Sequence, residues 1–155
     1  MRLIFARRPP MLAVARRWML IVAMLLTGAA AAPADDAVAP ADAAAIRQVI
    51  QSQMNAFRSD DWAAAFAYAS PAIQGKFQSP QVFRQMVTEA YQPVYRPRGV
   101  QFRGVQGSEF GPTQEVFVVG PDGLSYLAYY TMEKQPDGSW RISGCYLVRA
   151  PDQTT

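Results

Sequence analysis

The sequence predicts an α+β domain, with N-terminal helices packed on a curved four-stranded antiparallel sheet. Three observations carry that prediction. Apolar residues recur at 3.6-residue spacing up to Tyr91 and at two-residue spacing after it. The segments GPDG (Gly120 to Gly123) and QPDG (Gln135 to Gly138) are tight turns between alternating runs, so the strands they join pair as a meander. All helical patterns precede all strand patterns, the order of an α+β fold and not of α/β.

Residues 1–34 are expected to be a secretory signal peptide. Five arginines from Arg2 to Arg17 form a positive region, WMLIVAMLL (Trp18 to Leu26) is a short apolar core, and small residues follow. The apolar run is shorter than the ~20 residues that span a bilayer. Ala32-Pro33-Ala34 fits a cleavage site after Ala34. No cysteine stands near the cut to carry a lipid anchor, and ordinary export is preferred over the twin-arginine route because ARRWMLI is a loose match. The mature chain is thus expected to be periplasmic or secreted, with no membrane span after cleavage.

Loss of this segment reverses the charge. Five of the 15 basic residues and none of the 12 acidic ones lie in it, leaving ten cations against twelve anions, net −2. The composition argument for nucleic acid disappears with the leader. Cys145 is alone and forms no internal disulfide. Histidine is absent from the chain, which excludes Ser-His-Asp and Cys-His catalysis and any histidine-based metal site. No cofactor and no metal are expected.

DDAVAPADAAA (Asp35 to Ala45) begins as a tether of weak order over residues 35–42, and residues 43–150 are expected to form one domain before a tail at 151–155. The spacing of Ile46, Val49, Ile50, Met54 and Phe57 predicts a helix from about Ala43 to Arg58, with Asp42 as its cap. Ser59 or Asp60 is expected to cap the next helix, whose stripe is Trp62, Phe66 and Ala69. Ser70-Pro71 ends it and can start a short successor. Ser79-Pro80 repeats the device before an amphipathic helix carrying Val82, Phe83, Met86 and Val87, ended by Pro93.

The strands are expected at VQFRGVQG, QEVFVV, LSYLAYYTMEK and WRISGCYLVR. Parity assigns Tyr126, Ala128, Tyr130 and Met132 to the core face of the third. The same parity places Trp140, Ile142, Gly144, Tyr146 and Val148 inward on the fourth.

Three segments carry a family resemblance: IRQVIQSQMNAFRSDDWAAAFAYASPAIQGKF, SPQVFRQMVTEAYQPVYRP and YYTMEKQPDGSWRISGCYL. They resemble the exported bacterial proteins grouped as domain of unknown function 4864. The arrangement as a whole is similar to the nuclear transport factor 2-like, or cystatin-like, cone. The resemblance implies a fold and an exported location, and no activity.

Adjacent Asp60 and Asp61 are read as helix punctuation, because neighbouring residues at a helix start point about 100° apart and cannot share one site. Glu109, Glu115 and Glu133 lie on or beside strands, but none is expected to face the cone. Arg96, Arg98 and Arg103 form a basic cluster, and Cys145 is expected to be a buried, unreactive thiol. Tyr91, Tyr130 and Trp140 are the candidate pocket lining, since ligand pockets are mainly aromatic and apolar. The expected function is non-enzymatic binding of a small apolar ligand or a protein partner through the cone or the sheet face, with a homodimer through the sheet possible. Two other classes stand beside it: a histidine-free enzyme with a Glu/Tyr site, and a structural domain of envelope assembly.

Overall fold

The computed structural model describes residues 37–151. The expected leader and its cut, the start of the tether and the tail beyond residue 151 lie outside them. Five helices come first: α1 (Pro40–Arg58), α2 (Trp62–Ala67), α3 (Pro71–Phe77), α4 (Pro80–Ala90) and α5 (Gln92–Tyr95). Four strands follow: β1 (Gly99–Gln106), β2 (Thr113–Val119), β3 (Ser125–Lys134) and β4 (Trp140–Arg149). They form one antiparallel sheet in the order β1-β2-β3-β4, the expected meander. No helix among the described residues is long and apolar enough to cross a membrane.

Helix α1 buries Ile46, Ile50, Met54 and Phe57 along one stripe. It begins at Pro40, earlier than expected, and Asp42 is not its cap. Ala39 holds that position without a side-chain hydrogen bond. The Asp42 carboxylate instead accepts from Lys134 Nζ (3.0 Å) and Trp140 Nε1 (3.1 Å), joining the first turn of α1 to the β3–β4 end of the sheet.

Both Ser-Pro pairs act as expected. Ser70 Oγ accepts from Ile73 N and Ser79 Oγ from Val82 N, each with proline in the first turn of the new helix. Pro93 does not end α4. That helix stops at Ala90, and Pro93 sits inside the single turn of α5, where its missing N–H is no loss.

The chain between α2 and α3 reaches the sheet directly. Ile142 N donates to Tyr68 O (2.9 Å) and Ser70 N donates to Ile142 O (2.8 Å), so Ala69 bridges β4 in parallel. This contact fixes the helix layer to the start of β4.

Two bulges shape the sheet. In β1 the pairing steps from Phe102–Val116 to Val105–Gln114, so one residue is extra near Arg103 and Gly104. The buried Gln114 amide N–H₂ faces the carbonyls of Arg103 (2.9 Å) and Gly104 (3.2 Å), satisfying groups that the ladder leaves open. In β4 the pairing steps from Thr131–Gly144 to Met132–Ile142, leaving Ser143 as the extra residue.

Because strand side chains alternate, one extra residue exchanges the faces of everything beyond it. Trp140 and Ile142 are buried as parity predicts, but Tyr146 (53% exposed) and Val148 (46%) face outward. Cys145 and Leu147 turn inward to pack on the core.

The core has two parts. Ile46, Ile50 and Met54 of α1 pack on Val116, Val118, Tyr130 and Met132 of the sheet. A second cluster of Ala56, Phe57, Ala65, Phe83 and Val87 joins α1, α2 and α4. Its aromatic rings are in mutual contact, with Phe57–Phe83 centroids 6.2 Å apart and Phe66–Phe83 5.3 Å.

Candidate functional site

Where the two core clusters meet, the helices do not close on the sheet. A cleft of about 320 Å³ remains there. One wall is helical: Gln53 and Phe57 from α1, Ile73, Lys76 and Phe77 from α3, and Phe83 and Met86 from α4. The other is formed by Tyr130 of β3 with Ile142 and Cys145 of β4. The Ser143 bulge helps make this wall, since it brings Cys145 to the same face as Tyr130, its cross-strand partner.

The polar groups in this apolar space are few. Tyr130 is 1% exposed, and its hydroxyl has no hydrogen-bond partner among the described residues. The neighbouring Cys145 thiol is a weak acceptor at best. Desolvation is the main reason that Tyr130 is held well above the ordinary 10.0, with Cys145 adding to it.

Tyr91 is also raised, first by burial and then by Cys145, and its hydroxyl donates to the Cys145 carbonyl at 2.9 Å. Although Cys145 as a residue is only partly covered, burial pushes its thiol up to about 12. All three groups are therefore protonated and uncharged near neutral pH. The floor can donate hydrogen bonds, but it holds no thiolate or phenolate nucleophile.

Gln53 is the remaining uncharged polar side chain of the wall. It is buried on the apolar stripe of α1 and donates from Nε2 to the Ala65 carbonyl (3.1 Å), tying α2 to α1. Sequence reasoning missed it, although a glutamine in phase with Ile46, Ile50 and Met54 on one helical stripe is a signal that could have found it.

Of the residues expected to line a pocket, Tyr91 and Tyr130 line this cleft and Trp140 does not. Trp140 lies two residues beyond Ile142, at the Lys134 end of the β3–β4 ladder, where its indole N–H is spent on Asp42 and its ring lies under Lys134, 5.4 Å away. The helical contribution, above all α3, had no sequence signature. No residue of α3 is buried, so its periodic pattern is weak.

The other candidates lie away from the cleft. The cap of α2 is Asp61, which accepts from Ala64 N (3.0 Å), and not Ser59 or Asp60 as expected. Ser59 Oγ donates back to the Asn55 and Ala56 carbonyls, and Asp60 does something else. Its carboxylate receives Tyr95 OH (2.9 Å) and Arg96 (2.9 Å), and Arg96 also donates to the Arg58 carbonyl (2.8 Å). The hydrogen bond from Tyr95 and then the Arg96 guanidinium hold the Asp60 carboxyl below its ordinary value.

The basic cluster is dispersed. Arg96 is paired with Asp60 and Arg103 with Glu115 (2.8 Å), and Arg98 stands beside the Gly123 turn. Glu133 is exposed, and no carboxylate lines the cleft. Among the described residues no group of three or more acids and cysteines is placed to hold a metal ion.

A second depression of about 300 Å³ lies on the sheet face away from α1. Its centre is the stacked pair Tyr129–Tyr146, with ring centroids 4.8 Å apart, beside the exposed Phe110 (77%). Glu115 stands across from Tyr129 there but is engaged by Arg103.

A family model described as Domain of unknown function (DUF4864) matches residues 39–155, more than half of the chain. The chain belongs to this family. The DUF4864 match starts one residue before α1 and takes in every helix and strand described, so the cleft is built entirely from family-matched sequence. No curated protein and no solved structure matches the chain.

Proposed function

We propose that the mature chain is an exported, non-enzymatic binding domain that holds a small, mainly apolar ligand in the cleft between α1, α3, α4 and β3–β4. The observation that carries this reading is the Tyr130 hydroxyl. A buried donor without a partner costs about 1–3 kcal/mol, and one carried by a residue that lines an apolar cleft is relieved when a ligand supplies an acceptor oxygen. The cleft volume is at the lower end of the ~300–1,000 Å³ of small-molecule pockets, which fits a compact ligand.

The order of charged, apolar and small residues in 1–34 supports export to the periplasm or beyond. A meander bent by two bulges, with all helices on one face, supports the nuclear transport factor 2-like cone, in which the cleft is the space between helices and sheet.

Native mass spectrometry of the protein purified from its own host tests the binding reading. The expected result is a bound small molecule that is lost in Ile73→Trp, a change that fills the cleft from an α3 position of intermediate exposure. A chain carrying no bound mass, or one that retains it in Ile73→Trp, would contradict it.

The exposed Tyr129–Tyr146 face with Phe110 and Val148 favours a second reading, a homodimer through the sheet. On that reading Tyr146→Glu converts a dimer to a monomer in analytical ultracentrifugation. A wild-type chain that sediments as a monomer at high concentration removes it.

A further inference from the structure

We infer that the ligand of the cleft is an anionic amphiphile, a carboxylic acid with a compact apolar tail, seated tail-inward with its carboxylate at the Lys76 ammonium. This rests on the reading of the cleft as a ligand site. The carboxylate is inferred from the charge at its mouth.

Lys76 is the sole charged residue among those lining the cleft, and it is exposed in the last turn of α3. Its ammonium lies 5.6 Å from the centre of the Phe77 ring, another lining residue, so the charge is held against the apolar rim by its neighbour. Among the described residues Lys76 has no acid within ion-pair distance, a state it shares with Arg47, Arg58, Arg84, Arg98, Arg141 and Arg149; what sets it apart is that it lines the cleft and they do not.

The interior has the opposite character. Phe57, Phe83, Met86 and Ile142 are apolar, and Tyr130, Tyr91 and Cys145 are uncharged near neutral pH. An ionised group placed at that depth would lose its hydration without a counter-charge. At the rim it keeps water on one side and gains the ammonium on the other. A cationic amphiphile would meet like charge at the same place. The one unmet donor inside, Tyr130, adds that the inner part of the natural ligand carries an acceptor oxygen, which simple octyl compounds lack, so these probe the charge at the rim alone.

Titration calorimetry with octanoate, 1-octanol and octylammonium at low salt tests the assignment, using the mature protein, Lys76→Gln, Lys76→Glu and Ile73→Trp. Octanoate is expected to bind about threefold more tightly than 1-octanol, the scale of an exposed ion pair, with octylammonium weakest. Lys76→Gln removes the preference and Lys76→Glu reverses it, while 1-octanol is unaffected by either. Added salt erodes the preference in the unaltered protein as well, so the prediction does not depend on the variants alone.

Equal binding of octanoate and 1-octanol, both abolished by Ile73→Trp, would overturn the anionic assignment and leave the cleft reading standing. Binding of none of the three, or binding that ignores Ile73→Trp, would overturn both.

Discussion

At Asp60 the backbone turns through φ 57°, a left-handed conformation that aspartate tolerates better than most residues. That rotation sends two neighbouring carboxylates in different directions. Asp61 caps α2, and Asp60 reaches back to Tyr95 and Arg96. That the pair marks a helix start was legible, and Asp61 does cap α2. The pair's division of labour was not, because the partners of Asp60 lie 35 and 36 residues away.

Replacing Asp61 by Ala removes one cap and is expected to cost about 1 kcal/mol in chemical denaturation. Asp60→Asn keeps the left-handed turn and loses the charge, so its effect should shrink in high salt while that of Asp61→Ala persists. Equal salt sensitivity would show that the two residues share a role.

Cys145 gives a second prediction at this scale. With its thiol at about 12, it should resist iodoacetamide at pH 8 in the folded protein and react promptly once unfolded. Rapid labelling of the native chain would mean that the thiol is reached by solvent.

At the level of elements, the helix caps and strand runs were readable because each rests on local chemistry: Ser-Pro at helix starts, Pro-Asp-Gly in the turns. Both turns close alike, with Gly123 and Gly138 at φ 81° and 83° and an aspartate accepting from the backbone two residues on. The Ser143 bulge was not readable. An alternating sequence shows no sign of an inserted residue, so parity carried past it assigns Tyr146 and Val148 to the wrong face.

The bulge also makes the cleft wall, because it directs Cys145 inward beside Tyr130. Deleting Ser143 removes the extra residue, so Gly144 still pairs with Thr131 and Cys145 with Tyr130, and Cys145 stays inward while Tyr146 stays outward. A chain that is folded by circular dichroism and still protects Cys145 from iodoacetamide is expected. A deletion variant whose Cys145 labels promptly would show that the bulge does not set the phase of β4.

Across the whole molecule, polar ties hold the margins: Asp42 joins α1 to Lys134 and Trp140 of the sheet, and Asp60 joins the α1–α2 turn to Tyr95 and Arg96 at the end of α5. Lys134, then Trp140, lowers the Asp42 carboxyl, as Tyr95 and Arg96 lower Asp60. Asp122 is lowered by Tyr126 and Asp137 by Ser139. A depressed folded-state value gives stability that is complete above the ordinary 3.8 and is lost as pH falls through the folded value.

Cys145 has the opposite sign. Its folded value of about 12 exceeds the ordinary 9.0, so its contribution is complete below 9 and is lost as pH rises toward 12. The thermal midpoint should therefore be nearly flat between pH 5 and 8, fall below about pH 4 and fall again above about pH 9. Cys145→Ala should flatten the limb between about pH 9 and 10, leave the part above 10 to Tyr130 and Tyr91, whose values are also raised, and leave the acid limb unchanged. A midpoint that drops steadily from pH 7 to pH 5 would point to a different set of groups.

The central claim is that the unpartnered Tyr130 hydroxyl belongs to a ligand and not to the fold. Tyr130→Phe removes that oxygen and little else. Measured together, the melting temperature and the bound mass in native mass spectrometry separate the two possibilities. The account predicts a ligand-free variant as stable as the ligand-free parent, or more so by about 1 kcal/mol as the unmet donor is removed, with the bound molecule weakened or lost. A variant that melts lower and keeps its ligand would contradict it.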